Sequence, residues 1–240
     1  MAAQSFLLTR PAAASERFAA ALRESFGKDA RVLIAPLMEP EFLNPALPPG
    51  VFDALILTSE TGAEAARRLS AERGNLPLHA FCVGVRTAQA ATAAGFRTQT
   101  AKGDAKALVR LIQSTGCRGR FLHLRGRDSV GDIVQNLNSI DILACEAIVY
   151  DQKPRTLTPE AAALLAGTLP VVLPLFSPRS ADLIVQTGPV RAPLWVAALS
   201  PVVAKHARPL LPARMVIADR PDAIALLRAI ECLCVARSKT

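Results

Sequence analysis

The chain has 240 residues, of which 51% are hydrophobic and 20% charged, with a formal net charge of +8 and a pI near 9.8. No apolar run approaches the roughly 18–20 residues of a membrane-spanning helix, and the N-terminal stretch MAAQSFLLTRP lacks the features of a signal peptide. We therefore expect a cytoplasmic protein with no membrane contact. Its excess positive charge indicates an acidic partner, either a nucleic acid or a small polyanion.

Strands and helices alternate along the chain, as in a parallel sheet covered by helices on both faces. The predicted strands lie at Gln4–Thr9, Arg31–Ala35, Phe52–Thr58, around Phe81, before Asp104, and at Phe121–Arg125, Leu143–Tyr150, Val171–Phe176, Trp195–Leu199 and Met215–Ala218. The predicted helices lie at Pro11–Ser25, from Thr61 to about Arg73, between Gly84 and Gly95, after Asp104, at Ser129–Asn138, after Thr158, Ser177 and Ser200, and at Ala223–Val235. A capping box of Thr61 and Glu64 is predicted to open the second helix.

One α/β unit occurs twice in the sequence. The segment Phe81–Ile112 returns near the C-terminus as Trp195–Ile230. A shift of 118 residues places Asp104 on Asp222 and Ser59 on Ser177, and a two-residue slip places Gly84 on Ser200. The period is too long for a solenoid repeat, so it indicates a duplicated domain.

The second copy lacks the strand–helix–strand that follows the first copy at Phe121–Tyr150. A matching strand–helix–strand stands alone at the N-terminus, over Gln4–Ala35. We therefore expect a discontinuous domain of residues 1–37 and 152–240, with an inserted domain of residues 42–149. The stretch Pro36–Pro49 is polar and contains five prolines, and Asp151–Thr158 is a second polar stretch. Residues 36–43 and 150–155 are therefore expected to form paired extended linkers. Each domain is predicted to be a doubly wound parallel sheet.

Cysteine and histidine give little support for a metal site. The five cysteines show no zinc-like spacing, and the three histidines are widely scattered, so structural roles are the better interpretation for all eight residues. Cys82 and Cys145 lie in apolar strand patterns and are predicted to be core residues. The sequence also contains neither a G-x-G-x-x-G nor a Walker A motif, so a dinucleotide or P-loop site is not expected.

Several predicted strands run into a small or hydroxyl residue at a helix start. These residues are Thr9, Ser59, Gly84, Ser177 and Ser200. Helix N-termini offer free N–H donors and a positive dipole end to carboxylates or phosphates, and ligands of open α/β sheets bind at the carboxyl ends of strands. Two domains facing each other would then form a cleft lined with anion sites. That the hydroxyl residues are simply helix caps is an equally good interpretation.

Basic residues accompany these turns. Arg10, Arg86 and Arg179 lie at or next to them, where arginine suits two-point carboxylate binding, although solvated surface charge is the alternative. For Lys205, one turn further along a helix, we favour surface charge. A second group, Arg118, Arg120, Arg125 and Arg127, flanks the apolar stretch FLHL. With one Trp, one Tyr and no basic–aromatic interleaving, the stacking platforms of proteins that bind single-stranded nucleic acids are missing.

Tyr150 is the only tyrosine, and it lies where the chain enters the second predicted linker. It is either a structural plug for the hinge or a phenol that donates a proton to a leaving hydroxyl.

The whole-chain pattern resembles the uroporphyrinogen-III synthase family. The resemblance rests on LLTRP, LILTSETGAEA, VGVRTAQAATAAGF, FLHLRG, CEAIVYDQKP, LFSPRSADL and DAIALLRAI, in this order. It implies two flavodoxin-like domains joined by a two-stranded linker. It also implies a lyase (hydro-lyase) of porphyrin and haem biosynthesis that cyclises hydroxymethylbilane with inversion of the last pyrrole ring. Neither a metal nor an organic cofactor is implied. The implied enzyme is a monomer, with transient hand-over of substrate from hydroxymethylbilane synthase.

The resemblance also assigns roles to individual residues. Tyr150 matches the family's hinge tyrosine and would help the hydroxyl leave. Thr87 matches the Thr of a VG-x-x-TA turn, and Ser59 and Ser177 match the two strand-end serines, where backbone N–H groups would hold substrate carboxylates. Arg10 follows the first strand as in many members. Arg86 and the N–H groups after Ser200 are further candidates for substrate binding.

One departure from the family pattern stands out. Where a Thr-Thr pair is common in the C-terminal domain, this chain has Val202-Val203. Two hydroxyls are thereby lost. This leaves open a non-catalytic member of the same fold that binds a polyanion or a tetrapyrrole.

Overall fold

The structure, a computed structural model, describes residues 4–74, 76–128 and 131–235. Its strands are β1 (Ser5–Leu8), β2 (Arg31–Ile34), β3 (Met38–Phe42), β4 (Ala54–Leu57), β5 (His79–Cys82), β6 (Arg97–Thr100), β7 (Phe121–Gly126), β8 (Ala144–Pro154), β9 (Val171–Leu175), β10 (Leu194–Ala198) and β11 (Arg214–Ile217). Its α-helices are α1 (Ala12–Phe26), α2 (Glu60–Arg73), α3 (Val85–Ala93), α4 (Ala105–Ser114), α5 (Ile133–Asn138), α6 (Pro159–Leu165), α7 (Pro178–Gln186), α8 (Pro201–Ala207) and α9 (Ala223–Val235). Within these residues, no helix combines the length and apolar character that crossing a bilayer requires.

The chain divides into two compact units, each with its own sheet. The terminal unit comprises the described residues of Met1–Glu39 and Pro154–Thr240, and the middle unit comprises those of Pro40–Lys153. The predicted fold class, α/β with two parallel-dominated sheets, is confirmed.

The terminal unit contains a five-stranded parallel sheet in the order β11-β10-β9-β1-β2. Every residue of β9 and β10 is buried, because helices cover both faces of the sheet. Helices α6, α7 and α8 pack on one face and α1 and α9 on the other. With the middle unit left out, the strands follow the flavodoxin-like order 2-1-3-4-5.

The middle unit repeats this arrangement in a permuted chain order. Its sheet has the order β3-β8-β7-β4-β5-β6, with α2 and α3 packed on one face and α4 and α5 on the other. Strands β6-β5-β4-β7-β8 correspond to β11-β10-β9-β1-β2. The strand–helix–strand β7-α5-β8 therefore closes the middle unit, whereas its counterpart β1-α1-β2 opens the chain.

The two polar stretches expected to be linkers are hydrogen-bonded strands. The Leu43 N–H donates to the Val149 carbonyl (2.9 Å), and the Arg155 N–H donates to the Leu37 carbonyl (2.8 Å), so β3 and β8 run antiparallel. Strand β8 continues to Pro154 instead of ending at Tyr150. Charged pairs account for the polar composition here: Arg155 with Glu39, Lys153 with Glu41 (3.4 Å) and Lys153 with Asp151 (3.0 Å).

Most of the hydroxyl and carboxyl side chains that were predicted at helix starts do cap helices. Asp104, Thr158, Ser177 and Ser200 each accept a hydrogen bond from a backbone N–H in the first turn that follows. The predicted capping box at Thr61 is wrong, because Ser59 caps α2 and accepts from the Gly62 N–H at 2.9 Å. Glu64 instead pairs with Arg67 and Arg68. Part of the helix predicted at Ser129–Asn138 is observed as α5, and Ser129 lies outside the described residues.

Candidate functional site

Each unit has a point where the strand order reverses, and ligands of open α/β sheets bind at such points outside the carboxyl ends of the strands. In the middle unit, the reversal lies between β4 and β7, which lead into helices on opposite faces. In the terminal unit, it lies between β9 and β1. Three predicted site residues lie two positions beyond these strand ends: Ser59 after β4, Ser177 after β9 and Arg10 after β1.

Tyr150 reaches the reversal point of the middle unit through a β-bulge. Arg125 pairs with Ile148 but Gly126 pairs with Tyr150, so Val149 is an extra residue on β8. In a regular strand, Tyr150 and Val149 would point to opposite faces of the sheet. With the bulge, both pack against the core beneath α2 and α3.

The phenol of Tyr150 is held at the start of α2. Its oxygen lies 3.0 Å from Ser59 Oγ, which also accepts the Gly62 N–H at 2.9 Å. Both side chains are half-buried. Because α2 is a 14-residue helix, the positive end of its dipole lies next to this pair of hydroxyls.

Gly126 provides the surface on which the tyrosine ring packs. A Cβ atom at this position would lie 2.6 Å from Cε2 and Cζ of Tyr150 and 2.8 Å from its hydroxyl oxygen. Its φ lies outside the left-handed region, so the backbone conformation does not demand glycine. The ring position therefore requires that residue 126 has no side chain.

Arg86 and Thr87 lie one strand further along the same edge, in the first turn of α3. Their helix begins after Gly84, at the carboxyl end of β5, which is the parallel neighbour of β4. Arg86 is exposed, whereas Thr87 is buried, at 5% exposure. Arg86 thus presents its charge to solvent at this edge, and the side chain of Thr87 packs inward.

A neutral histidine lies beneath this site. His123 on β7 is 1% exposed, and its Nε2 lies 3.4 Å from Oγ1 of Thr58, the residue before Ser59. Burial lowers the pKa of His123 to about 4, with a smaller lowering by Arg125 that opposes the effect of Glu146. It is a core residue, in agreement with the structural role expected for it.

In the terminal unit, the corresponding strand ends bring Arg10 and Ser177 into one neighbourhood. The Arg10 guanidinium carbon lies 3.9 Å from the ring centroid of Phe176, which directly precedes Ser177. Stacking of this kind restrains a long, otherwise mobile side chain. Ser177 Oγ accepts the Ser180 N–H at 3.1 Å and lies 2.9 Å from the Ser180 hydroxyl. Thr9 does not start a helix as expected, since it is buried and α1 begins at Ala12.

The departure at Val202-Val203 affects two dissimilar positions. Ser200 caps α8 and accepts the Val203 N–H at 3.4 Å. Val203 is 2% exposed and belongs to the core beneath α7 and α8, whereas Val202 is 57% exposed. Only at position 202 is a hydroxyl lost from the surface.

Of the predicted site residues, Tyr150 and Ser59 are in direct contact. Thr87 and Arg86 lie one strand away from them, and Arg10, Ser177 and Ser200 belong to the terminal unit. Gly126 is the functional candidate that the sequence did not reveal. Its signal, a glycine at the end of the buried run FLHLRG, indicates close approach of another group but not which group.

The cysteines lie in dissimilar surroundings. Burial raises the pKa of Cys82 to about 11, consistent with its predicted place in the core. Cys145 is only half-buried, and its sulfur lies 3.5 Å from a guanidinium nitrogen of Arg120. Across the described ranges, no group of three or more His, Cys, Asp or Glu side chains is arranged to hold a metal ion.

These features define a class of protein: a two-unit α/β protein with flavodoxin-like sheets and with polar residues at the points where the strand order reverses. A family model described as uroporphyrinogen-III synthase HemD matches residues 16–228, and the chain therefore belongs to this family. The resemblance noted in the sequence is confirmed.

Solved structures of the family are similar to this chain. Uroporphyrinogen-III synthetase from Helicobacter pylori is 19% identical, with a TM-score of 0.63, and the match covers 96% of this chain and 99% of that one. A mutant uroporphyrinogen III synthase from Thermus thermophilus is 14% identical, with a TM-score of 0.49 and coverages of 98% and 100%. The first similarity supports the fold. A comparison with curated protein sequences found no significant match.

The buried histidine generates a prediction for stability. Between about pH 6.5 and about pH 4, the unfolded chain binds a proton at residue 123 that the folded chain does not bind. The free energy of unfolding should therefore fall as the pH falls through this window, by up to about 3 kcal/mol. Urea unfolding at several pH values measures this fall in the free energy of unfolding. His123→Gln should remove this part of the pH dependence, and the exposed-site control His79→Gln should keep it. Equal slopes for wild type and His123→Gln would contradict the prediction.

The two valines of α8 generate a second prediction. Val203→Thr buries a hydroxyl and should lower the free energy of unfolding by about 1–3 kcal/mol. Val202→Thr, at the exposed neighbouring position, should change it by less than about 0.5 kcal/mol. Urea unfolding of both variants makes the comparison, and equal stabilities would show that position 203 does not face the core.

Proposed function

We propose that this protein cyclises hydroxymethylbilane with inversion of the last pyrrole ring and so has uroporphyrinogen-III synthase activity, a hydro-lyase reaction. One observation carries the proposal: in a chain of this family, the sole tyrosine places its phenol oxygen 3.0 Å from the serine that caps α2. A phenol at a strand-order reversal point is suited to donate a proton to a leaving group.

The first step breaks the bond between the hydroxymethyl carbon and its oxygen. The first pyrrole nitrogen supplies electrons, Tyr150 supplies a proton to the hydroxyl, and the loss of water produces an azafulvene. The last pyrrole then attacks through its substituted carbon and forms a spirocyclic pyrrolenine. Fragmentation and reclosure on the other carbon invert that ring, and the proton lost on rearomatisation returns to the phenolate. Overall, one water is released and no oxidant or reductant is consumed.

The substrate carries an acetate and a propionate on every pyrrole, so its recognition is chiefly recognition of carboxylates. We assign this role to the helix starts after Ser59, Ser177 and Ser200, to the turn at Thr87, and to the charges of Arg10 and Arg86. Holding one conformer of the bilane accounts for most of the catalysis, because the reacting ends then meet as in an intramolecular reaction. The net charge of +8 favours the encounter with a polyanion.

We also propose that the protein works as a cytoplasmic monomer and receives its substrate by transient hand-over from hydroxymethylbilane synthase. The family membership motivates this part of the proposal. Size-exclusion chromatography with light scattering tests the monomer, and a dimer mass at micromolar concentration would refute it.

Two other functions predict different behaviour. A non-catalytic binder of polyanions or tetrapyrroles is favoured by the lost hydroxyl at Val202 and predicts tight binding without turnover.

A nucleic-acid-binding role has lost support, because three of the arginines that could serve it form bonds within the middle unit. They are Arg120 to the Pro49 carbonyl (2.5 Å), Arg125 to Glu146 (2.5 Å) and Arg127 to Asp151 (3.2 Å). That role predicts steep salt dependence on generic DNA or RNA.

A coupled assay tests the activity. Hydroxymethylbilane is generated in situ, the protein is added, and the oxidised porphyrins are separated by isomer. Predominantly isomer III is expected. If protein that is folded by circular dichroism gives isomer I alone, the proposed synthase activity would be refuted and the binding function would remain.

Tyr150→Phe is the sharpest single variant, since it keeps the ring and removes only the hydroxyl. It should slow formation of isomer III at least about tenfold, which corresponds to about 1.4 kcal/mol of barrier, with little change in KM. Steady-state kinetics measure both constants. An unchanged kcat would remove Tyr150 from the mechanism.

Arg10→Gln should raise KM by about ten- to a hundredfold, as expected for loss of a hydrogen bond between charged groups, with a smaller change in kcat. The matched control is Arg23→Gln, an exposed residue on α1, which lowers the net charge equally. Equal KM values for the two variants would show that only overall charge matters.

A further inference from the structure

The hydroxyl of Ser59 has a defined set of partners. Its oxygen accepts the Gly62 N–H at 2.9 Å and lies 3.0 Å from the phenol oxygen of Tyr150. A serine hydroxyl has one proton and two lone pairs. It can therefore keep its bond to Gly62 and still donate its own proton to the phenol oxygen.

Only one direction of the Ser59–Tyr150 hydrogen bond is compatible with proton donation by the phenol. If Tyr150 donates to Ser59, its proton is not available to a leaving hydroxyl. If Ser59 donates, the phenol proton points elsewhere, and the phenol oxygen keeps a donor as it becomes negative. The start of α2 favours that negative charge as well.

The terminal unit offers an internal comparison. Ser177 occupies the same place after β9 and caps α7 in the same way, but its hydroxyl lies 2.9 Å from that of Ser180. Capping of a helix by a strand-end serine therefore does not depend on a phenol. The contact with Tyr150, together with the ring packed on Gly126, is specific to the middle unit.

We propose that Ser59 and Gly126 are positioning residues for Tyr150. Gly126 sets where the ring lies, and Ser59 donates to the phenol oxygen so that the phenol proton is directed to the leaving hydroxyl. The inference rests on the proposed function. It gives the side chain of Ser59 a role separate from carboxylate binding by the backbone around it.

A double-mutant cycle tests whether Ser59 acts through the phenol. Ser59→Ala should lower kcat about tenfold with KM changed by less than about twofold, as for loss of one donor to a developing charge. In the Tyr150→Phe background, Ser59→Ala should lower kcat by less than about twofold. Ser59→Thr, which keeps a hydroxyl, should restore kcat to within about threefold of wild type. The control is Thr158→Ala, which removes the hydroxyl that caps α6 in the terminal unit. It shows what the loss of a helix cap does by itself.

Independent effects of Ser59→Ala and Tyr150→Phe on kcat would overturn the proposal. So would a rise in KM with kcat unchanged, since that result would assign the side chain to substrate binding. If Thr158→Ala lowered kcat as much as Ser59→Ala does, a loss of helix stability would explain the effect.

A second measurement does not depend on activity. Tyr150 is the only tyrosine, so the tyrosine doublet in the ultraviolet resonance Raman spectrum, whose intensity ratio reports hydrogen bonding of the phenol oxygen, comes from this residue alone. Ser59→Ala and Gly126→Ala should each change the ratio, and Thr158→Ala should not. An unchanged ratio in both site variants would refute the positioning role even if the wild-type protein makes isomer III. If the ratio changes but the wild-type protein makes no isomer III, the proposed enzymatic function would be refuted, while the contacts of Ser59 and Gly126 with Tyr150 would stand.

Discussion

Burial of both sheet faces is the constraint on which the rest of this molecule depends. Strands β4, β9 and β10 are apolar and buried along their whole length, so they have no place for a polar ligand. Polar side chains therefore collect where strands end and helices begin. There, backbone N–H groups without intrahelical partners and the helix dipole both favour negative charge. A fold built in this way is suited to a polyanionic substrate before any particular side chain is considered.

The two units share this design but differ in what they place at the reversal point. The terminal unit has a guanidinium stacked on Phe176, beside a serine whose hydroxyl meets that of Ser180. The middle unit has a phenol bonded to its strand-end serine. The two units have matching helix starts, and the bulge at Val149 places a phenol at one of them. In the function proposed above, binding and proton transfer are therefore divided unequally between the two similar units.

Much of this arrangement could be predicted from the sequence, because it is encoded in short patterns. Alternating strands and helices indicated the fold class, and the repeated strand-to-serine transition identified the helix caps at Ser177 and Ser200. The bulge and the role of Gly126 could not be predicted, since both depend on the register between β7 and β8, which no local pattern specifies. The capping box at Thr61 failed for a related reason: Ser59 starts the helix two residues earlier, and Glu64 pairs with arginines on the surface of α2. The Val202-Val203 departure was interpreted as two lost hydroxyls, but one of the positions faces the core.

The permuted order of the two units has a consequence for synthesis on the ribosome. Strand β1 is made before the middle unit, yet one of its partners in the sheet, β9, is made only after the whole middle unit. The segment β1-α1-β2 must therefore wait, with apolar surface uncovered, while β3 to β8 emerge and pair among themselves. Nascent chains fold unit by unit as their contacts become available. The middle unit, continuous in sequence, can close first, whereas the sheet of the terminal unit cannot be completed until β9 has been made.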